Sequence, residues 1–364
     1  MKVCHLTSAH PRYDTRIFLK ECASLAENGH EVHLIVADDK KDELINNVFI
    51  HDVGKKSKGR LNRFLQTTKK VYKKAIDLDA DLYHFHDPEL LIYAYFLKLK
   101  GKKVIYDIHE DLPRQLLSKP YLNYFSKIIL SFLIEKIENF CASKFDFLFT
   151  ATPFIRDRFL KINFNTIDIN NYPILSELFE EKKVDKKNQV CFIGGISKIR
   201  GIENLVRACE NIDGKLILAG KFNNTDLERK VKSLKGWKNV DFRGFVNRKQ
   251  AKQIMAESKA GVVTFLPEPN HLNSQPNKMF EYMSASLPVI CSNFPLWKSI
   301  IEVNNSGKCI DPDSVSDLSA CINQFLKDES LLSMGTTARK TVVSLYNWEV
   351  EEIKMSNKYQ ILND

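Results

Sequence analysis

The 364-residue chain lacks most of the marks of specialised protein classes. Its 14 Gly and 12 Pro are too few for a collagen-like or low-complexity protein. It has no run of about 18 apolar residues, so no membrane-spanning helix is expected. The opening Met1-Lys2-Val3-Cys4-His5 turns polar at once, unlike a secretory signal peptide. The eight cysteines contain no Cys-x-x-Cys pair, which removes the common zinc and redox spacings. Most lie in apolar runs such as Val190-Cys191-Phe192 and are expected to be reduced, buried and cytoplasmic.

What is present is a globular composition, with 44% hydrophobic and 27% charged residues. At about 150 residues per domain, the length suggests two domains. Lys and Arg number 54 against 45 Asp and Glu, a formal charge of +9. The excess is spread over both halves. It favours anionic partners and gives no reason to expect a nucleic-acid module.

Strand and helix patterns alternate along the chain. Lys2–Thr7, Glu31–Val36, Asp81–His86, Lys103–Asp107 and Phe145–Thr150 read as strands. Helices are expected from Ile17 to Ala26 and over 61–76, 90–99, 120–141 and 153–160. The pattern breaks at Asn170-Asn171-Tyr172-Pro173, and residues 176–189 are charged. A second series follows, with strands Gln189–Gly194, Lys215–Gly220, Val240–Phe245, Gly261–Leu266 and Pro288–Cys291. The expected domains are 1–173 and 174–345, with a helix in 346–364 that returns to the first. Two parallel sheets of this kind predict an α/β protein with a cleft facing the carboxyl ends of both.

Four segments carry candidate chemistry. In Pro276-Asn277-Lys278-Met279-Phe280-Glu281, Pro276 suits the first helical position. Lys278 and Glu281 then share a helix face near an N-terminus, which attracts anions. Lys278 suits a diphosphate and Glu281 a vicinal diol; the plain alternative is an i,i+3 ion pair. In Phe192-Ile193-Gly194-Gly195-Ile196-Ser197-Lys198-Ile199-Arg200-Gly201, a strand runs into glycines and cations that can meet phosphate oxygens. This is neither G-x-G-x-x-G nor a Walker loop, and paired glycines also serve as plain turns. Tyr106-Asp107-Ile108-His109 ends a strand, where His109 can bond a sugar hydroxyl or move a proton. His84 and His86 share one strand face, a possible pair of metal ligands lacking evident third and fourth partners.

The fourth segment is basic. Lys55, Lys56, Lys58, Arg60, Arg63, Lys69, Lys70, Lys73 and Lys74 occur without an acid among them. They read as a solvated helix face or as a surface for anionic lipid. The 120–141 helix, with Tyr121, Tyr124, Phe125, Ile129, Phe132 and Leu133, is apolar nearly all round. It reads as core or as an interfacial helix.

Together these segments resemble glycosyltransferase family 4, the retaining sugar-nucleotide transferases of the GT-B fold. His10-Pro11-Arg12-Tyr13-Asp14-Thr15-Arg16-Ile17-Phe18 resembles the opening of bacterial members that build surface polysaccharide. Pro276-Asn277-Lys278, Phe280-Glu281-Tyr282-Met283 and Pro288-Val289-Ile290 resemble the family's donor helix. Gly244-Phe245-Val246 and Ser306-Gly307-Lys308 follow in the family's order.

The resemblance implies roles. Glu281 would hold the donor ribose, while Arg200, Lys278 and the Gly194–Gly195 turn would hold the diphosphate. Gly244, Phe245 and Val246 would meet the base, with Asn273 and Asn277 also at the donor. His109 would serve the donor sugar, and His10, Asp14 and Arg16 the acceptor side. The family's first motif Glu falls on Asn273, and its Arg on Gly195. Asn273 cannot act as a carboxylate nucleophile, so front-face transfer is preferred. The implied partners are a UDP- or GDP-sugar and a lipid-linked or growing glycan for capsule, O-antigen or exopolysaccharide. Lys69, Lys70, Lys73 and Lys74 would meet the inner face of the cell membrane, with no metal or other cofactor. A sugar-nucleotide epimerase and a non-catalytic sugar-nucleotide-binding subunit are the alternatives.

Overall fold

The computed structural model describes residues 1–59, 62–117, 123–182 and 184–363. Arg60, Leu61, Tyr121 and Lys183, each part of an expectation above, lie outside the described residues. The chain forms two compact units, Met1–Asn171 with Glu351–Asp364, and Tyr172–Val350. The first division thus falls two residues before the expected one, and the second at 350/351 rather than 345/346. Pro173 belongs with the second unit because its carbonyl accepts the Trp348 amide at 2.9 Å. The described residues of the charged 176–189 stretch are built into that unit rather than forming a linker. Glu177 pairs with Arg248 at 2.5 Å, and the Lys187 amide donates to Glu257 O at 2.8 Å.

Unit 1 carries eight strands: β1 Lys2–Leu6, β2 Glu31–Val36, β3 Glu43–Ile45, β4 Val48–Asp52, β5 Leu82–Phe85, β6 Lys103–Ile108, β7 Phe147–Thr150 and β8 Thr166–Asp168. Their order is β3-β4-β2-β1-β5-β6-β7-β8, parallel throughout except for β3 against β4. That hairpin was not read from the sequence. Asn46 and Asn47 both take positive φ (51° and 58°), the geometry of a two-residue hairpin turn.

The two faces of this sheet differ. On one, Cys4, Leu6, Tyr83, Phe85, Val104, Tyr106 and Leu148 join a hydrophobic core with Val71, Ala75, Leu91, Ala94 and Cys141 from three helices. The period of two then puts His5, His84, His86 and Asp107 on the opposite face, all buried. The first helix and the closing helix, Trp348–Asn363, supply cover there. Tyr359 Oη lies 2.6 Å from His84 Nδ1. The first helix opens as a π-helical turn, Ile17–Cys22, and continues as α-helix over Ala23–Glu27.

The helix expected at 120–141 runs from Tyr124 to Ala142, capped by the Asn123 side chain. Little of it is core. Tyr124, Phe125, Ile129, Phe132, Leu133 and Phe140 are each more than half exposed. Only Ser131, Glu138, Cys141 and Ala142 are buried.

Unit 2 carries six parallel strands: β9 Gln189–Ile193, β10 Lys215–Ala219, β11 Val240–Gly244, β12 Ala260–Val263, β13 Val289–Ser292 and β14 Gly307–Ile310. Their order, β11-β10-β9-β12-β13-β14, is that of a doubly wound nucleotide-binding sheet. Alternation along β9 sends Val190 and Phe192 into one core and Cys191 into the other. The strand order reverses between β9 and β12 here, and between β1 and β5 in unit 1. Ligands of such sheets sit at the carboxyl ends of these strands.

Candidate functional site

In unit 2, β9 ends in Gly194 and Gly195, and β12 leads through residues 264–276 to the helix Asn277–Ser284. Pro276 is the cap and Asn277 the first helical residue, one position later than expected. Tyr282 on this helix fixes the glycine turn, because its Oη accepts the Ile193 amide at 2.9 Å. Gly194 has φ +131°, and a Cβ there would collide with the Lys278 amine. The positive φ is what favours glycine here, with the end of the flexible Lys278 side chain lying over it.

Lys278 makes no hydrogen bond or ion pair among the described residues. Its amine lies 5.9 Å from the Phe192 ring centroid, and its pKa falls from 10.5 to about 8, chiefly through burial and secondarily through Arg200. Arg200 donates to Gly195 O at 2.9 Å and stacks 5.4 Å from the Phe265 ring. Burial lowers its pKa as well. The i,i+3 ion pair between Lys278 and Glu281 does not form. Glu281 is instead held 2.8 Å from Arg248, which also binds Glu177. Two desolvated cations without a carboxylate partner thus stand beside a glycine turn and a helix N-terminus. That arrangement suits an anion.

The other donor-side residues lie around this point. Gly244 ends β11 with φ +61°, and Phe245, mostly exposed, has the Lys221 amine 5.1 Å above its ring. Val246 is half-buried, and Asn247 begins the next helix with a capping box. Asn273 and Asn277 are exposed. The sequence reading missed two neighbours. Thr264, just past β12, is buried with its Oγ1 unpartnered, and the His271 ring lies tilted against Phe265 with centroids 4.9 Å apart.

In unit 1, Asp107 at the end of β6 is the hub. Arg16 donates to both its oxygens (2.6 and 2.8 Å), His109 Nε2 lies at 2.7 Å and His86 Nδ1 at 3.0 Å. Burial works against its charge, but Arg16 and His109 outweigh that and hold its pKa well below the usual range. Glu21 alongside is pushed well up by burial and then by Asp107. Arg16, expected on the acceptor side, is buried and fully engaged, donating also to Ile169 O at 2.7 Å. Asp14 has a local task as well, accepting the Arg16 and Ile17 amides at 2.9 and 3.1 Å to start the helix.

Two partly exposed histidines remain at the strand ends, His10 and His109, with ring centroids 5.0 Å apart. Each is backed by a buried aspartate. His10 Nδ1 lies 3.1 Å from Asp87, whose carboxylate also accepts the Ser8 amide and the Thr7 hydroxyl, both at 2.7 Å. Burial opposes protonation of His10, yet the bond to Asp87 wins and raises its pKa. Such pairs orient an imidazole and stabilise its charged form.

Two family profiles account for most of the chain. One described as Glycosyltransferase Family 4 matches residues 16–169, and one described as Glycosyl transferases group 1 matches 175–341. The chain belongs to glycosyltransferase family 4. Sequence relatives are distant. An uncharacterized glycosyltransferase of Methanocaldococcus jannaschii is 26% identical over 183 residues, which is 49% of this chain and 46% of that protein. The chain thus matches less than half the length of that relative. Solved structures agree in fold, which is GT-B. Sucrose-phosphate synthase of Thermosynechococcus elongatus superposes with TM-score 0.79 at 16% identity, covering 100% of this chain and 99% of the other. HepE of Anabaena in complex with UDP-glucose gives 0.74 at 15% identity, covering 99% of each.

The glycosyltransferase's basic helix, Thr68–Leu78, buries Val71 and Ala75 and leaves Lys69, Lys70 and Lys73 exposed and Lys74 half-buried. Among the described residues no helix is long and apolar enough to cross a membrane. The described residues bring Gly194, Gly195, Arg200 and Lys278 together, and separately His10 and His109. They withdraw Arg16 and Asp14 from the surface chemistry.

Proposed function

We propose that the protein transfers a sugar, with retention, from a UDP- or GDP-sugar to a hydroxyl of a lipid-linked or growing glycan. The pathway is bacterial surface polysaccharide synthesis. The observation that carries this reading is the pair of cations without a carboxylate partner, Lys278 and Arg200, at the Gly194–Gly195 turn. A nucleoside diphosphate supplies the missing charge. Its phosphates meet both cations and the free amides of the helix beginning at Asn277, while Glu281 bonds the ribose. The HepE neighbour, which binds UDP-glucose, supports the choice of donor class.

As the glycosidic bond breaks, negative charge grows on the leaving diphosphate, where the cations and amides stabilise it. The two side chains take the part that a metal plays in other transferases, and no cofactor is needed in this reading. The acceptor oxygen bonds the anomeric carbon on the face from which the diphosphate departs, and a leaving phosphate oxygen takes its proton. Asn273, with no carboxylate, suits this front-face course. His109, oriented by Asp107, binds the sugar hydroxyls. The lysines of the 68–78 helix and the exposed aromatics of the 124–142 helix hold the protein to anionic lipid at the inner membrane face.

The test is thermal shift against UDP, GDP, ADP, CMP and dTDP, followed by transfer assays with the matching sugars. A ligand at about a hundred times its Kd stabilises by roughly 2.7 kcal/mol. One diphosphate should stand out, and Lys278→Ala should remove its effect. Equal, absent shifts for all five would refute the site.

A further inference from the structure

The glycosyl-transfer reading makes no use of a second cluster in unit 1. His5 on β1, His84 at the third position of β5, His86 just beyond it and Glu21 of the first helix meet inside the unit, each at most 1% exposed. The parallel register sets His5 beside His84. Each residue offers one ligand atom, and the four atoms all lie within 4.8 Å of one another. The sequence alone showed only the His84–His86 pair; the neighbouring strand and the covering helix bring the other two.

Several polar ends here are unsatisfied. His5 Nε2 and His84 Nε2 have no hydrogen-bond partner, and Glu21, whose oxygens accept no well-directed hydrogen bond, is ion-paired with Arg16 Nε at 3.0 Å and lies against Asp107. Buried polar atoms are almost always paired, so these orphans in one spot point to a missing group. The remaining ring nitrogens are held as metal-ligating imidazoles are held from behind. His84 Nδ1 meets Tyr359 Oη at 2.6 Å, and His86 Nδ1 meets Asp107 at 3.0 Å. His86 Nε2 lies 3.0 Å from His5 Nδ1, a contact that a shared cation would rearrange.

We propose that His5, Glu21, His84 and His86 bind one divalent transition-metal ion as a structural tie between β1, β5 and the first helix. Three imidazoles and a carboxylate are a donor set for zinc, whose four-coordinate sites use these ligands. The site is closed to solvent, and none of its four ligands is used in the transfer chemistry proposed above.

The test uses the full chain, purified without chelator from zinc-supplemented medium, with metal content measured by mass spectrometry. About one zinc per chain is expected. Removing it should lower the melting temperature, and cobalt in its place should give the visible bands of a four-coordinate site. Tyr359→Phe, behind His84, should weaken cobalt binding by roughly 10–100-fold, and Glu21→Gln and His84→Gln, which remove ligands, should each weaken it more. His51→Gln, on β4 and outside the set, should leave it unchanged. Should the variants fail to fold, the cobalt titration of the unaltered protein decides alone. Less than about a tenth of an equivalent of any transition metal, with no cobalt bands and no melting shift on adding zinc, would overturn the proposal. So would loss of binding in His51→Gln.

Discussion

Lys278 is expected to destabilise the ligand-free protein and to make diphosphate binding depend on pH. Its pKa drops from 10.5 to about 8, first by burial and then by Arg200. A gap of about 2.5 units is worth roughly 3 kcal/mol at about 1.36 kcal/mol per unit. Partial exposure of the side chain reduces this to about 1–2 kcal/mol. Below pH 8 the folded protein must carry the charge, so the cost is present in full. Between about 8 and 10.5 the unfolded chain binds more protons than the folded one, so stability rises with pH. Lys278→Met should therefore raise the melting temperature at pH 7 by a few degrees, at about 2–4 °C per kcal/mol. The variant should also lose the alkaline rise. Its affinity for UDP or GDP should fall at least tenfold. In the unaltered protein, affinity should hold steady up to pH 8 and then fall roughly tenfold per pH unit, with proton uptake visible by calorimetry in two buffers. Affinity independent of pH from 7 to 10, together with a Met variant no more stable than its parent, would refute this account of the cation.

Asp107→Asn removes the charge that holds Arg16, His86 and His109, and should cost about 3–5 kcal/mol in chemical denaturation. Because the Asp107 pKa is lowered on folding, its contribution is present above the usual carboxylate range and lost as pH falls; the variant should unfold in acid over a narrower stability range. His10 should titrate above 6.5 by NMR, and Asp87→Asn should bring it down. Since its pKa is raised, its stabilising effect is present below 6.5 and fades as pH rises through the folded value. Gly194→Ala, strained at φ +131° and set against Lys278, should reduce nucleoside diphosphate affinity at least tenfold in the same thermal-shift series. Binding to anionic vesicles should weaken with salt. Phe125→Ser with Phe132→Ser should reduce it further in co-sedimentation, while vesicle binding indifferent to both would remove these helices from the membrane reading.

Much of the architecture was legible because parallel α/β units write themselves locally. The run Gln189–Gly194 is apolar and ends in glycines, and β9 is Gln189–Ile193. The hairpin of β3 and β4 went unread although Asn46-Asn47 signalled its turn, since Glu43–Ile45 is too short to show a period. The 124–142 helix shows the limit of composition. An apolar residue list cannot say which side faces water, and here most of that list does.

The same division holds at the sites. Lys278, Arg200, the glycine pair and the histidines at strand ends could be picked out from residue type and position, because strand ends, glycine turns and helix starts are local events. Which charges are spent could not. Glu281 is three residues from Lys278 but pairs with Arg248, 33 residues away, leaving Lys278 bare. Arg16 stands in a polar loop by sequence, yet the fold buries it on Asp107, 91 residues on. His84 and His86 announce themselves as a pair, but His5 and Glu21 reach them only through strand pairing and helix packing. Local pattern thus determined the sheets and the types of chemistry available. The long-range pairing of charges, which depends on how the folded chain brings distant segments together, decided which of those groups remain free to bind.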